Sequence, residues 1–387
     1  MENQSLKKKE SENKSSENVF ELRQKPDDRK IGDNNAAPKG VFQSKMSSHA
    51  KRHLIMGAIL VIISVVVLGV YLGFVHAIPI RNPALHNINV ALKWTHQSQF
   101  AGNYVAAEKG FYAAHGINAT LMPYNFKDSP IDLVASGKAE FGVAGADEIL
   151  LARSKGIPVK AVAVIYQINP VCAFSLKSSG ITTPKDFIGK KIGIEKGINV
   201  EYEYIAMMDN LHLNRSNLTE LGIGFEAAEL LNGSVDVSTG YVINEPYYVI
   251  AKGLDVNIIM VEDYGVNMYA DVLFTTDDLI NKNPELVNNF VQATLEGWQY
   301  ALENEDETVS IVMQYAKNNN IAHERYALKT SLPLISTGEV ALGYMDKDGW
   351  LSVQNAILLQ KLLSNPVNIS DCYTTQFIDK RDAQHNI

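Results

Sequence analysis

The chain has 387 residues, 46% of them hydrophobic and 20% charged, with a formal net charge of −8. This is length for two or three domains with a sizeable core, and the composition is that of an ordinary globular protein. Charge is segregated: residues 1–52 hold 12 Lys/Arg against 8 Asp/Glu, leaving −12 on residues 53–387, and an acidic main part without a nucleic-acid motif argues against a phosphate-backbone partner.

Residues 1–52 are rich in Lys, Glu, Ser and Asn and poor in large apolar groups. They cannot bury enough surface to fold alone and read as a disordered cytoplasmic tail. Within the segment 53–78, Leu54 to Val75 is a run of 22 residues without a charge, the length that spans a bilayer as one helix. Lys39, Lys45, Lys51 and Arg52 precede it, whereas Arg81 and Lys93 are the basic residues shortly after it. That bias places the N-terminus in the cytoplasm and the main domain outside. The run reads as an uncleaved anchor; a signal peptide cut near Ala77 is the alternative. Residues 76–87, with two prolines, read as a stalk.

From residue 88, apolar runs alternate with helical patterns. Strands are expected over Ile88–Trp94, Ala119–Pro123, Phe141–Ala144, Lys160–Tyr166, Val171–Leu176, Lys191–Ile194, Ser234–Gly240, Asn257–Val261 and Asp271–Thr275. Amphipathic helices lie between them, the first over Gly102–His115. The alternation predicts α/β architecture with parallel sheets covered by helices. After Asn283-Pro284-Glu285, an Asn cap followed by Pro at the first helical position, the chain reads as nearly all helix. Cys172 and Cys372 are separated by 199 residues, which leaves a disulfide or two free thiols open. No Cys/His cluster implies a metal, and no motif implies a cofactor.

The segment Lys93-Trp94-Thr95-His96-Gln97-Ser98-Gln99-Phe100-Ala101-Gly102-Asn103-Tyr104 follows the first strand and opens a helix. This is the place where open α/β folds hold small ligands. The segment resembles the start of the periplasmic-type substrate-binding proteins related to the thiamine-pyrimidine (NMT/THI-like) family. Ile181–Ile194, ITTPKDFIGKKIGI, resembles the opening of the second lobe in that superfamily, and Leu230–Gly240, LLNGSVDVSTG, its helix-to-strand segment pointing into the cleft. The resemblance implies a periplasmic-binding-protein type II fold: 88–175 and 271–380 form one lobe together with C-terminal helices, and 176–270 the other. Crossing segments are expected near Ala173–Lys177 and Asp271–Thr275, with closure on the ligand by hinge motion.

A planar heterocycle needs aromatic faces and a few directed polar groups. The aromatic candidates are Trp94, Tyr104, Tyr166, Tyr241 and Tyr269. Asn244 and Glu245, in Gly240–Tyr248, are the directed groups, since a carboxylate accepts strongly from an aminopyrimidine. They can equally be a helix cap ahead of Pro246. Gly145, Ala146 and Asp147 stand at a helix N-terminus, where Asp147 is either a ligand group or simply a favourable charge. By resemblance, Trp94, Tyr241, Asn244 and Glu245 match ligand-facing positions of pyrimidine binders. Gln97, included as a ligand residue, and Gln99 depart from the Asn and His often found there.

Fungal and plant members of the family are thiamine-pyrimidine synthases that use a Lys and a His in a GLKxxxH-like stretch and a cysteine-rich iron site. Here Ala144 and Glu148 stand at those positions, and no cysteine cluster exists. Without the amine there is no Schiff base. The resemblance therefore implies a non-enzymatic, membrane-anchored binding protein of an ABC importer, with a permease and an ATPase as partners. Its ligand would be a hydroxymethyl- or formylaminopyrimidine or a similar small nitrogenous compound. A ligand-binding ectodomain of a signalling system is the alternative, and the pyrimidine synthase ranks last.

Overall fold

The computed structural model describes residues 47–77, 85–317 and 320–378. Most of the expected tail and most of the expected stalk lie outside the described residues. Ser48–Ala77 is one helix of 30 residues, and within it Ser48–Val70 is long and apolar enough to cross a membrane. Its leucine, isoleucine and valine side chains from Leu54 to Val70 are exposed. The helix and residues 82–387 belong to separate compact units.

The larger unit holds two five-stranded sheets. Strands β1 (His86–Ala91), β2 (Ile117–Met122), β3 (Phe141–Ala144) and β4 (Val159–Tyr166) come from the first stretch of chain. Strands β5 (Val171–Leu176), β6 (Lys191–Ile194), β7 (Thr219–Gly222), β8 (Val237–Tyr241) and β9 (Val256–Met260) follow. β10 (Ala270–Thr276) returns. The sheet orders are β2-β1-β3-β10-β4 and β7-β6-β8-β5-β9. In each, three neighbouring parallel strands are followed by an antiparallel fourth that links them to the edge strand: β10 between β3 and β4, and β5 between β8 and β9.

The second sheet is therefore made of residues 171–260, and the chain crosses between sheets at 167–170 and at 261–269. The crossings expected near Ala173–Lys177 and Asp271–Thr275 fall inside β5 and β10 instead. Both runs are buried ladder strands, and apolar sequence alone does not distinguish a strand leaving a lobe from one entering it. The first lobe accordingly ends nearer 167 than 175. β7 was not expected. Its four residues, Thr-Glu-Leu-Gly, sit at a sheet edge with one face solvated, and they carry no apolar run.

β4, an edge strand of the first sheet, is apolar apart from Lys160 near its start and is covered by the C-terminal segment. Ala161 N–H donates to Cys372 O at 2.9 Å, and Val164 N–H to Gly343 O at 3.2 Å, so the edge is paired rather than open. Cys172 and Cys372 are both buried free thiols.

Helix Ala101–Glu108 ends where Gly110 takes φ +78°, and Phe111–Ala114 is a separate turn, so the helix expected over Gly102–His115 is broken. Ala101–Glu108 packs on Pro284–Glu303 through two glycines. A Cβ on Gly297 would lie 2.0 Å from Gly102 O, and one on Gly102 would lie 2.3 Å from the Trp298 ring. Asn283 caps the long helix as expected, its side chain accepting from Leu286 N–H.

Candidate functional site

A cleft of about 460 Å³ opens between the two sheets. The first lobe contributes Lys93 and Trp94, which lie just past β1, together with Gln97, Gln99, Asp147 and Glu148. The second contributes Glu195 after β6, Asn199, Phe225, and the run Tyr241, Asn244 and Glu245 after β8. They come from the carboxyl ends of strands, the loops that follow and, for Asp147, Glu148, Asn199 and Glu245, the first turns of the next helices, the parts that open α/β sheets present to a ligand.

Trp94 forms one wall. Its half-buried ring takes edge contacts from Phe126 at 5.4 Å and Phe225 at 5.1 Å, both at 75° between planes. The edge contacts hold the indole upright, and an indole face is a favourable surface for a flat ring.

The floor is a hydrogen-bonded chain that crosses from one lobe to the other. Gln97 Nε2 donates to Gln99 Oε1 at 2.8 Å, and Gln99 Nε2 donates to Asp271 Oδ2 at 2.8 Å. Asp271 Oδ1 lies 3.4 Å from Lys93 Nζ, which donates to Tyr241 OH at 3.3 Å. Asn199 Nδ2 in turn donates to Tyr241 OH at 2.8 Å. Asp271 sits at φ +49°, a conformation that costs on the order of 1–3 kcal/mol for a non-glycine residue. It is held there by these contacts as the chain enters β10. Burial works against the Lys93 charge, but Tyr241, Asp271, Glu148 and Asp147 outweigh it and hold the ammonium well above its usual range. Burial and the neighbouring Glu148 push Asp147 up to about 6.

Glu245 opens a short helix, Glu245–Ile250, and folds back over Gly240, where a Cβ would lie 2.7 Å from its Cγ. Tyr241 N–H donates to Glu245 Oε2 at 2.6 Å, and the Asn244 amide donates to Oε1. Asn244 Oδ1 lies 2.7 Å from His323 Nε2. Burial pushes Glu245 up to about 7 against these bonds. His323 begins the helix Ile321–Ile335, and the adjacent Glu324 accepts from Ser98 N–H at 2.7 Å. Tyr326 OH donates to Val242 O at 2.8 Å. One helix thus touches both lobes behind the cleft.

Of the residues expected at a site, the fold brings Trp94, Gln97, Asp147, Tyr241, Asn244 and Glu245 together at the cleft. Tyr104, Tyr166 and Tyr269 do not line it. The first two are fully buried: Tyr104 stacks on Tyr315 with its hydroxyl 3.0 Å from His96 Nδ1, and Tyr166 OH donates to Ser331 Oγ at 2.8 Å. Tyr269 packs on Gly349 and Trp350, with its hydroxyl 3.3 Å from Asp346 Oδ1. A tyrosine whose hydroxyl finds one partner is a stable core residue, and in sequence it is indistinguishable from a ligand platform.

A family model described as NMT1/THI5 like matches residues 97–308. The chain is 32% identical to the riboflavin-binding protein RibY of Chloroflexus aurantiacus over 78% of this chain and 88% of that one. The chain belongs to the NMT1/THI5-like family. It is also 27% identical to the formylaminopyrimidine-binding protein of Halalkalibacterium halodurans, over 76% of this chain and 91% of the relative. A 4-amino-5-hydroxymethyl-2-methylpyrimidine phosphate synthase of Legionella pneumophila is 22% identical over 75% and 92%. Among solved structures, the aliphatic sulphonate binding protein SsuA of Escherichia coli superposes with TM-score 0.61 at 14% identity, covering 74% of this chain and 91% of SsuA. The fold is the two-lobed periplasmic-binding-protein type anticipated from the sequence.

Lys93, Glu148, Glu195 and Asn199 also line the cleft and are not among the ligand residues expected from the sequence. Lys93 stands next to Trp94 at the same strand end, so that position was available as a signal. Glu195 directly follows the strand Lys191–Ile194, and the rule that ligands gather at strand carboxyl ends reaches it too.

Proposed function

We propose that this protein is the extracytoplasmic substrate-binding component of an ABC importer and that it captures a planar nitrogen heterocycle for a permease and its ATPase. The observation that carries this reading is the interlobe cleft itself, with an indole held by edge contacts on one wall and the hydrogen-bonded carboxyl of Glu245 on the other lobe. Its volume lies in the range of about 300–1,000 Å³ typical of pockets for drug-sized ligands. A single pyrimidine ring underfills that space, so size favours a fused-ring compound of the riboflavin class over an aminopyrimidine. The two relatives named for binding riboflavin and formylaminopyrimidine support the same ligand chemistry.

In this reading Trp94 stacks on the ring system, Glu245 accepts from a ring or exocyclic N–H, and Lys93 and Tyr241 meet ligand oxygens. The protein is not an enzyme. Ala144 supplies no amine, and of the two lysines that line the cleft, Lys93 is held charged by Tyr241 and Asp271, which makes it a poor nucleophile. The helix Ser48–Ala77 is the membrane anchor, with the N-terminus cytoplasmic and the two lobes outside. The lobes close on the ligand by motion at 167–170 and 261–269.

The test is a fluorescence titration of the full chain in detergent with riboflavin and, separately, with formylaminopyrimidine followed by calorimetry. Saturable one-to-one quenching of flavin emission is expected. Failure of both compounds to saturate removes the reading.

A further inference from the structure

β6 and β8 pair in parallel, Ile192 with Val237 and Gly193 with Ser238, so their carboxyl ends stand side by side. Glu195 is the first residue past β6, its N–H donating to Thr239 Oγ1 at 3.3 Å. Glu245 folds back over Gly240 at the end of β8. Both line the cleft.

The two carboxyls are unequally supplied. Glu245 receives the Tyr241 N–H and the Asn244 amide. Glu195 is 4% exposed, and its Oε1 has no hydrogen-bond partner among the described residues. Two neighbouring carboxyls in a poorly solvated site do not both ionise, and the charge goes to the one with donors aimed at it.

We propose that Glu195 is a second ligand-reading group, a neutral acid beside an ionised Glu245. The pair then offers one O–H donor and one carboxylate acceptor to a ligand edge that carries an acceptor next to an N–H. This rests on the binding-protein reading above and deepens it by naming the edge. In a fused pyrimidinedione such as the flavin ring, that edge is the carbonyl beside the imide N–H. In a 4-aminopyrimidine it is the ring nitrogen beside the amino group.

Burial, then the Glu245 charge, pushes Glu195 up to about 10, in the direction the geometry requires. The titratable groups that line the cleft with the pair are Lys93, Tyr124, Asp132, Asp147, Glu148, Lys155, Tyr202 and Tyr241, and His323, Tyr248, Tyr326 and Cys172 also neighbour it. Lys93, one of the two lysines in the cleft, is committed to Asp271. Cys172 behind the pair is a buried thiol that both carboxyls push upward after burial itself.

The experiment has two arms on the full chain in detergent at pH 8.5, between the values of about 7 for Glu245 and about 10 for Glu195. An infrared difference spectrum of ligand-free wild type against Glu195→Gln is expected to show a carboxylic-acid carbonyl band lost in the variant. Titration with riboflavin is expected to leave Glu195→Gln within about threefold of wild type, because the amide still donates. It is expected to weaken Glu195→Ala by about tenfold, the scale of one neutral hydrogen bond and the unpaired group left behind. Riboflavin methylated at the imide nitrogen should bind wild type about tenfold more weakly than riboflavin does. Absence of the acid band, or an alanine variant that binds riboflavin as tightly as wild type, overturns this inference alone. A wild type that saturates with neither riboflavin nor formylaminopyrimidine overturns the importer reading and this inference together.

Discussion

His323 Nε2 lies 2.7 Å from Asn244 Oδ1, which fixes the Asn244 amide with its nitrogen toward Glu245. The imidazole comes from a helix of the first lobe's return segment, and the asparagine from the second lobe. Removing the ring leaves a buried amide oxygen unpaired, at a cost of about 1–3 kcal/mol. His323→Ala should therefore lower thermal stability and also weaken heterocycle binding, since the amide is then free to flip away from Glu245. His323→Gln, which can restore a donor, should recover more of the binding than of the stability, and calorimetry beside a melting curve separates the two.

Glu245→Ala removes the acceptor from the cleft and strands the Tyr241 N–H and the Asn244 amide. The expected loss in riboflavin affinity is about 1.5–3 kcal/mol, the range for a hydrogen bond to a charged group. Unchanged affinity in isothermal titration would take Glu245 out of the ligand contact.

Trp94→Ala should abolish most flavin quenching and weaken binding by more than the lost contact area alone, with ring stacking adding about 0.5–1.5 kcal/mol. Phe225→Leu keeps the apolar volume but loses the edge contact that steadies the indole. A smaller effect is expected there, and equal losses from the two variants would argue that the indole acts only as bulk.

Glu195 gives a pH prediction with a definite sign. Its folded value is raised, to about 10 from an ordinary carboxylate value, by burial first and Glu245 second. Between those values the folded state binds more protons than the unfolded chain, so this group makes stability fall as pH rises. Glu195→Gln cannot ionise and escapes that penalty. The melting temperature of the variant relative to wild type should climb steadily from pH 5 to pH 9; a difference that stays flat would mean the carboxyl is not buried as described.

Gly297→Ala places a Cβ where Gly102 O stands 2.0 Å away, so the backbone of one helix must move. The expected destabilisation is about 1–3 kcal/mol or more, typical of overpacking, visible in denaturant melts. Ligand affinity per folded molecule should change little, because neither glycine lines the cleft.

Much of this architecture was legible in the sequence. The alternation of apolar runs with amphipathic helices announced α/β architecture, the family resemblance supplied its division into two lobes, and Asn283-Pro284 marked the start of the long helix to the residue. Trp94 stood out because it ends the first strand, whereas Tyr241, Asn244 and Glu245 were singled out by their match to ligand-facing positions of the family and by the polar groups they offer. What failed was anything that depends on which partner a residue meets. Tyr104, Tyr166 and Tyr269 look like platforms until Tyr315, Ser331 and Asp346 are seen beside them. Lys93 looked like a flanking charge until Asp271, far along the chain and in a left-handed conformation, closed on it. The crossings were expected inside β5 and β10 because a buried strand that begins just after a crossing carries no sequence mark that separates it from the crossing itself.

The insertion of β10 between β3 and β4 also orders events during synthesis. Every strand of the second sheet is present once Met260 has been made, so that lobe can close while the chain is still growing. The first lobe cannot. Until Ala270–Thr276 arrives, β3 and β4 face an empty slot with unpaired amides and carbonyls, the kind of open edge that invites foreign strands. The half of the protein that is made first is thus finished last.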